Sequence, residues 1–377
     1  MELALSSDQK LFQTSARGLL EKEHSLDRIR RMPPGEPRWT RNWWRQGAEL
    51  GWAAPVVPEE LGGGSVSAEG VRDLSLLAEE LGAAVAPGPL LPVNVVLAGL
   101  VEAHGDGPDH TARIEELVAG DGVATWAVYE PGREWAPLEP GLTATPEEGG
   151  FVLDGVKDRV QDAGQADLLL VTAATPDGFA QFLVRAQAEG VSVSPQWSLD
   201  LSRSFGEVRF GGVRVGADAM VGAPGAVQVL ERQLQIAVVI QCSEVCAVLD
   251  RAFALTTQWA FDRYSFGRPL ASYQALKHRF ADMRTWLEGC HAITQAAAAA
   301  VQERSPDAAR TISAAKSFVG ERSLVILQDC VQLHGGIGVT WEHDLHLYLR
   351  RATLDQALYG SPQDHRRRLA DLALRPR

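Results

Sequence analysis

The sequence predicts an α+β protein of three domains: helices over residues 1–121, a β-barrel-like domain over residues 122–221, and a bundle of long antiparallel helices over residues 222–377. Two observations support this prediction. Apolar residues recur at helical spacing up to about Leu117, but short β-rich runs alternate with Pro and Gly turns from Gly122 to about Val215. Long helical periodicity returns after Gly225. A chain of 377 residues is also too long for one simple core.

The N-terminal domain is predicted to be mainly helical. Ser6 or Ser7 can cap a first helix over residues 6–23, in which Leu11, Phe12 and Ala16 recur at helical spacing. Further helical patterns cover Trp39–Leu50, Ala68–Leu81 and the residues up to about Leu117. A glycine-rich loop over residues 51–64 separates the first two of these.

The central and C-terminal domains differ in the spacing of their apolar residues, which is typical of strands in the first and of helices in the second. The β-rich runs of the central domain are 124–129, 151–153, 168–172 and 207–210. The predicted C-terminal helices are 226–261, 272–302, 306–334, 340–358 and 363–373. Ser305-Pro306 opens the third of these helices with a capping residue followed by proline.

Composition narrows the class of protein. A net charge of -12 argues against general binding of nucleic acid, which requires a surplus of Lys and Arg. The four cysteines fall in helical patterns without the Cys/His clustering of a zinc site, so we expect buried thiols, no metal and a reducing compartment. The N-terminus shows no apolar signal core and no run is long enough to span a membrane, so the cytoplasm is the predicted location.

Two C-terminal segments lie where helical sequence breaks into glycine. They read Arg263-Tyr-Ser-Phe-Gly-Arg-Pro269 and Val331-Gln-Leu-His-Gly-Gly-Ile-Gly338. A guanidinium group such as that of Arg263 can bind phosphate oxygens through two parallel hydrogen bonds. Gly335 and Gly336 would let the backbone approach a ligand closely, because they carry no side chain.

Together these segments resemble the C-terminal signature of the acyl-CoA dehydrogenase family. The resemblance extends along the whole chain, through Pro58-Glu-Glu-Leu-Gly-Gly63, Gly155-Val-Lys157 and Asp344-Leu-His346. It implies the family's fold, FAD as cofactor and α,β-dehydrogenation of an acyl-CoA thioester. By resemblance, the FAD diphosphate and adenosine are bound by Arg263, Ser265, Phe266, Gln274, Gln332, Gly335 and Gly336. No Walker loop, nucleophile elbow or Rossmann fingerprint suggests another chemistry.

The catalytic base of the family is missing from both of its usual positions. The reaction needs a carboxylate whose pKa a dry pocket raises towards neutrality. By resemblance, Tyr359 stands at the commoner position of this glutamate and Ala237 at the alternative one. A tyrosine, with an ordinary pKa near ~10, is a poor substitute. Glu244 lies two turns, about 10 Å, beyond Ala237 on the same helix face and is the nearest candidate base, although a structural role is the favoured interpretation.

The central domain departs from the family pattern as well. Family members place a hydrogen-bonding threonine and a Trp-x-Thr/Ser pair around the flavin ring. By resemblance these positions hold Tyr129, and Arg159 with Gln161. A large ring and a cation there could obstruct the flavin, or an active but divergent enzyme could tolerate them.

Three hypotheses follow. In this family each FAD lies between two protomers, so a chain that has the dinucleotide-binding residues but no base suits an accessory subunit that completes the FAD site of a catalytic homologue. Some actinobacterial members resemble this arrangement as α2β2 assemblies that act on sterol side chains. The alternatives are a homotetramer that uses an unusual base such as Glu244, and a non-redox scaffold without flavin. The resemblance also implies an electron-transferring flavoprotein as the oxidant, and it leaves a steroid or a fatty acyl-CoA open.

Overall fold

The computed structural model describes residues 5–33 and 35–374. Six helices form the N-terminal part: α1 (Ser7–Glu23), α2 (Leu26–Arg31), α3 (Arg41–Glu49), α4 (Gly70–Ala83), α5 (Leu90–Glu102) and α6 (Thr111–Val118). The starts of α1 and α3 follow from capping. The Ser6 hydroxyl accepts from Gln9 N at 3.1 Å and the Gln9 side chain accepts from Ser6 N at 3.2 Å, so α1 begins at Ser7. Thr40 caps α3 through Trp43 N, which delays this helix from the predicted Trp39 to Arg41.

Eight strands follow: β1 (Ala124–Ala127), β2 (Thr143–Glu147), β3 (Gly150–Gln161), β4 (Leu168–Thr175), β5 (Gly178–Arg185), β6 (Val191–Gln196), β7 (Phe205–Gly216) and β8 (Met220–Val221). They form one sheet in the order β6-β7-β3-β2-β4-β5-β8, with β1 beside β4. Most pairs are antiparallel, but β1 and β2 both run parallel to β4. One side of the sheet holds its own apolar core around Phe182 and Phe210, and Trp126, Tyr129 and Phe205 belong to the larger core of the helices.

The C-terminal part contains α7 (Val227–Asp262), the hairpin β9 (Tyr264–Ser265) and β10 (Arg268–Pro269), α8 (Gln274–Gln302), α9 (Ala308–His334), α10 (Leu345–Ala357) and α11 (Pro362–Leu374). The 36 residues of α7 lie at the centre of the molecule, where the helix packs against α4, α5, α8, α9 and α10. The predicted helix at 306 begins at Ala308 instead, because the Ser305 hydroxyl accepts from Asp307 N at 3.2 Å and holds the preceding turn.

The fold class predicted from the sequence is confirmed: helices, then a sheet, then long helices. The predicted domain boundaries fall in the connections between α6 and β1 and between β8 and α7. The division into independent domains stays a prediction, and residues 1–4 and 375–377 of the outer ranges lie outside the described residues. Over those described residues, none of the helices is long and apolar enough to cross a bilayer.

Candidate functional site

The residues predicted for the dinucleotide end of FAD lie on the surface. Arg263 follows the last residue of α7, and its exposed guanidinium lies 5.9 Å from the centre of the Trp259 ring. Phe266 and Gly267 form the turn of the β9–β10 hairpin with φ angles of 51° and 80°, so the ring of Phe266 is 97% exposed. The Tyr273 hydroxyl donates to the Ser265 carbonyl at 2.6 Å and fixes the hairpin to the start of α8.

The second predicted element is the end of α9. Gln332 is exposed in its last turn, and Gly335 ends the helix with φ +64° and ψ -140°, a conformation that only glycine adopts readily. Among the described residues, a Cβ added to Gly335 or Gly336 would have no neighbour within 4 Å. Space for close approach by another molecule therefore exists at both glycines.

Trp259 brings the two elements together. Its indole Nε1 donates to the Leu333 carbonyl at 3.2 Å, and its ring stacks on His334 with 5.3 Å between centres. Arg263 lies one helical turn further along the chain. The structure thus places Arg263 near the end of α9, and the sequence reasoning missed Trp259, whose only signal was its position one turn before the arginine.

Large apolar side chains are exposed on and next to the β9–β10 hairpin and the end of α9. Large side chains are exposed on α7, on the hairpin and beyond α9: Phe261, Tyr264, Phe266, Ile337, Val339 and Trp341. Exposed apolar side chains gathered in this way are typical of a surface that another protein covers. Gln274 is also exposed, at the first position of α8 beside the hairpin. The seven predicted FAD residues therefore lie on or next to segments that expose large apolar side chains.

The two usual positions of the base are buried. Ala237 is fully buried within α7. Tyr359 is 4% exposed, and burial raises the pKa of its hydroxyl far above the ordinary value, so it stays protonated at neutral pH. Its backbone N–H donates to the Tyr129 hydroxyl, and His365 Nε2 lies 2.9 Å from its carbonyl oxygen.

Glu244 is fully buried in a network of charges. Its Oε1 accepts from Arg203 at 2.6 Å, and Oε2 lies 3.9 Å from Arg351. Arg351 is also buried and bonds Asp200 at 2.5 Å and the Ser202 hydroxyl at 2.6 Å. These contacts tie α7 to α10 and to the loop before β7. The role of Glu244 as a base stays a prediction, and these contacts favour a structural role instead.

Four aromatic side chains gather where α10 ends against the sheet. Trp126 and Tyr359 stack with 5.8 Å between ring centres and 11° between planes. Trp135 lies 6.4 Å from Trp126, 5.1 Å from Tyr129 and 6.2 Å from Tyr359. We call Trp126, Tyr129, Trp135 and Tyr359 the aromatic cluster.

The remaining positions that resemble flavin-ring residues are engaged within the chain. The Arg159 guanidinium covers the Tyr129 ring at 4.5 Å, and Arg159 Nε donates to Asp158 at 2.9 Å. Gln161 is buried, and its amide donates to Asp162 at 3.4 Å. The residues predicted for the dinucleotide end of FAD are exposed, so this end of the cofactor could reach them. The side chains at the ring end instead contact other side chains of the same chain.

A buried ion pair holds the loop that carries Trp135. Lys157 Nζ donates to the Glu130 carboxylate at 2.7 Å, and the N–H groups of Gly141 and Leu142 donate to it at 2.8 and 2.9 Å. Burial lowers the pKa of Lys157 to about 8, although its bond to Glu130 opposes the shift. The two ends of the loop over residues 131–140 are therefore held together by one carboxylate.

The four cysteines form no disulfide bond and are shielded from solvent. All four are buried and unpaired. Burial raises the pKa of Cys242 to about 12, so its thiol is protonated at neutral pH. Within residues 5–33 and 35–374 there is also no group of three or more His, Cys, Asp and Glu side chains arranged to hold a metal ion.

Two family models match the chain. One is described as the acyl-CoA dehydrogenase N-terminal domain and matches residues 6–120, and the other is described as its C-terminal domain and matches residues 227–374. Together they cover more than half of the sequence.

Individual relatives match along almost their full length. Acyl-CoA dehydrogenase IpdE2 of Mycolicibacterium smegmatis is 28% identical over 97% of this chain and 98% of that protein. A variant of the Tcur3481-Tcur3483 steroid ACAD is 28% identical with a TM-score of 0.85, covering 97% of both chains. The ChsE4-ChsE5 complex from Mycobacterium tuberculosis is 25% identical with a TM-score of 0.86, covering 100% of both chains.

Proposed function

The chain belongs to the acyl-CoA dehydrogenase family, and from this premise we propose that it is an accessory subunit that completes the FAD site of a base-carrying homologue. The observation that carries the proposal is the contrast between the two ends of the cofactor site. Arg263, Gln332 and Gly336 are exposed, whereas the aromatic cluster and Ala237 stand where a base would have to be.

The exposed end supports a contribution to a neighbouring subunit. Arg263 offers a forked cation for the diphosphate of FAD, and Gln332 offers an amide for its adenosine. Phe261 and Phe266 are exposed within three residues of Arg263 in the sequence, and exposed apolar rings are typical of a surface that a partner covers. A homologous subunit seated on this surface would receive these groups from outside its own fold.

The buried end argues against a complete reaction on this chain. When FAD is bound in a family member, it accepts the hydride from the β-carbon of the acyl group, while a carboxylate takes the α-proton. Tyr359 stays protonated at neutral pH, and Glu244 is committed to Arg203. We therefore assign proton abstraction to the partner subunit.

Two of the relatives suggest the kind of partner and substrate. The ChsE4-ChsE5 complex is named as a pair of different subunits, and the Tcur3481-Tcur3483 protein is named as a steroid ACAD. On this basis we propose a hetero-oligomer acting on a steroid-derived acyl-CoA, with an electron-transferring flavoprotein as the oxidant. The four buried free thiols suit a reducing compartment such as the cytoplasm.

The test is turnover of the purified chain with an artificial electron acceptor and acyl-CoA substrates of several sizes, including steroid-derived ones. Without a general base, the rate should fall by about 10²–10⁴-fold relative to the assembly with a base-carrying homologue. Robust turnover by the chain alone would refute the proposal, and its loss in a Glu244→Gln protein that is still folded would make Glu244 the base.

A further inference from the structure

Two clefts border the aromatic cluster. The first, of about 420 Å³, is lined by Arg159, whose guanidinium covers Tyr129, and by Leu358, which precedes Tyr359. The second, of about 580 Å³, is lined by Trp135 itself and by His365, which contacts the Tyr359 carbonyl. Both clefts are of ligand size, and of these two only the second is lined by a member of the cluster, Trp135.

Trp135 is the ring that lies between the second cleft and the rest of the cluster. It contacts each of the other three rings, with 5.1 to 6.4 Å between centres. Trp126, Tyr129 and Tyr359 belong to the buried core, but Trp135 is half-buried and comes from the connection between β1 and β2. It is thus the one member of the cluster whose removal leaves the core rings in place.

The loop over residues 131–140 holds Trp135 in position. Glu130 binds the far end of the loop through Gly141 and Leu142, and Arg133 donates to the Glu139 carbonyl at 2.9 Å within it. Glu134 reaches across the second cleft to Arg367 on α11, with 3.6 Å between the charged atoms. The loop is therefore anchored mainly through its own ends, because an exposed pair such as Glu134 with Arg367 contributes little.

We propose that Trp135, packed on Tyr129 and Tyr359, blocks the passage of the flavin ring and the acyl chain from the second cleft into the space between the sheet and α10. This inference rests on the proposed function and adds the residue that determines which half of the assembly is loaded. A flat ring entering between the sheet and α10 would have to displace Trp135 from Tyr129 and Tyr359. These contacts exist before any ligand arrives, so exclusion needs no conformational change.

The experiment compares Trp135→Ala with Leu138→Ala in the co-purified assembly. Leu138 lies on the same loop and is exposed, so its truncation changes the loop but not the cluster. The measured quantity is the number of flavins bound per pair of subunits, from visible absorbance and protein concentration. It should increase up to about twofold in Trp135→Ala and stay unchanged in Leu138→Ala. A second measurement, quenching of riboflavin fluorescence by the full-length chain alone, should appear only with Trp135→Ala because the opened cleft lets the flavin ring stack on Tyr359.

Each outcome bears on one claim. Unchanged flavin content and no quenching in a folded Trp135→Ala protein would overturn the exclusion by Trp135 and leave the accessory role intact. Failure of the accessory role appears separately, as a flavin content of the assembly that does not respond to Arg263→Ala. If Trp135→Ala does not fold, Trp135→Leu keeps an apolar side chain without the flat ring and should give the same increase, and its failure to do so would equally overturn the inference.

Discussion

Arg263 is the residue on which the cofactor assignment depends most directly. Its guanidinium is exposed beside Trp259 and free to meet a diphosphate. A charge-assisted bond to phosphate contributes about 1.5–3 kcal/mol, so Arg263→Ala should weaken flavin binding by the assembly about 10- to 100-fold. Equilibrium dialysis of FAD measures this. Arg310→Ala, an exposed arginine paired loosely with Asp307 at 3.7 Å, is the matched control and should bind as the wild type does.

Glu244 provides the second test at the scale of a residue. Glu244→Gln leaves Arg203 without its buried ion-pair partner, whereas Arg351 keeps Asp200. Breaking a buried pair costs about 3–5 kcal/mol of unfolding free energy. Urea unfolding should show this loss. Glu321→Gln removes an exposed pair with Arg366 and should cost no more than about 1 kcal/mol. A Glu244→Gln protein of unchanged stability would contradict the structural role.

His365 links the stability of the chain to pH. Burial lowers the pKa of its imidazole from 6.5 to about 4, so the unfolded chain binds a proton that the folded chain refuses between these values. Stability from this residue is present above pH 6.5 and falls by about 3 kcal/mol as the pH drops to 4. The difference in unfolding free energy between the wild type and His365→Gln should show this dependence on pH. The control is His104→Gln, which replaces an exposed histidine and should leave the pH dependence of the wild type as it is. A flat difference would contradict the assignment.

At the scale of an element, the two neighbouring glycines at the end of α9 have different predicted roles, one in stability and one in cofactor binding. Gly335 needs its left-handed φ, so Gly335→Ala should destabilise the chain by about 1–3 kcal/mol. Gly336 has no such angle and nothing near its Cβ position among the described residues, so Gly336→Ala should leave thermal unfolding of the chain unchanged. It should nonetheless reduce the flavin content of the assembly, because the added methyl meets the cofactor. Equal flavin content in assemblies of the wild-type chain and of Gly336→Ala would contradict the proposed close approach of FAD to Gly336.

The sequence predicted these elements well where the information is local. Helical spacing indicated α7 and α9 within two residues of their ends. The remaining shifts come from side chains that hold the preceding turn, such as Thr40 before α3 and Ser305 before α9. The predicted start of α10 at residue 340 was wrong, because a turn continues to Asp344 before the helix begins. The bond between Tyr359 and Tyr129 could not be predicted, because it joins residues far apart in the sequence.

At the scale of the whole molecule, the site divides into a part that motifs reveal and a part that packing creates. Arg263, Gln332 and the glycines were predictable because their spacing follows a family signature. The pairing of Glu244 with Arg203 and the filling of the ring end by Trp135 depend on contacts between α7, the sheet and α10. No periodicity of a single segment records such contacts.

The central claim is that this chain serves the flavin of a different subunit. Native mass spectrometry of the chain co-expressed with a base-carrying homologue tests it most directly, because one spectrum gives both subunit composition and flavin count. The account predicts an assembly with equal numbers of the two chains and one FAD for each unlike pair. A homo-oligomer of this chain that carries one FAD in every protomer would contradict it.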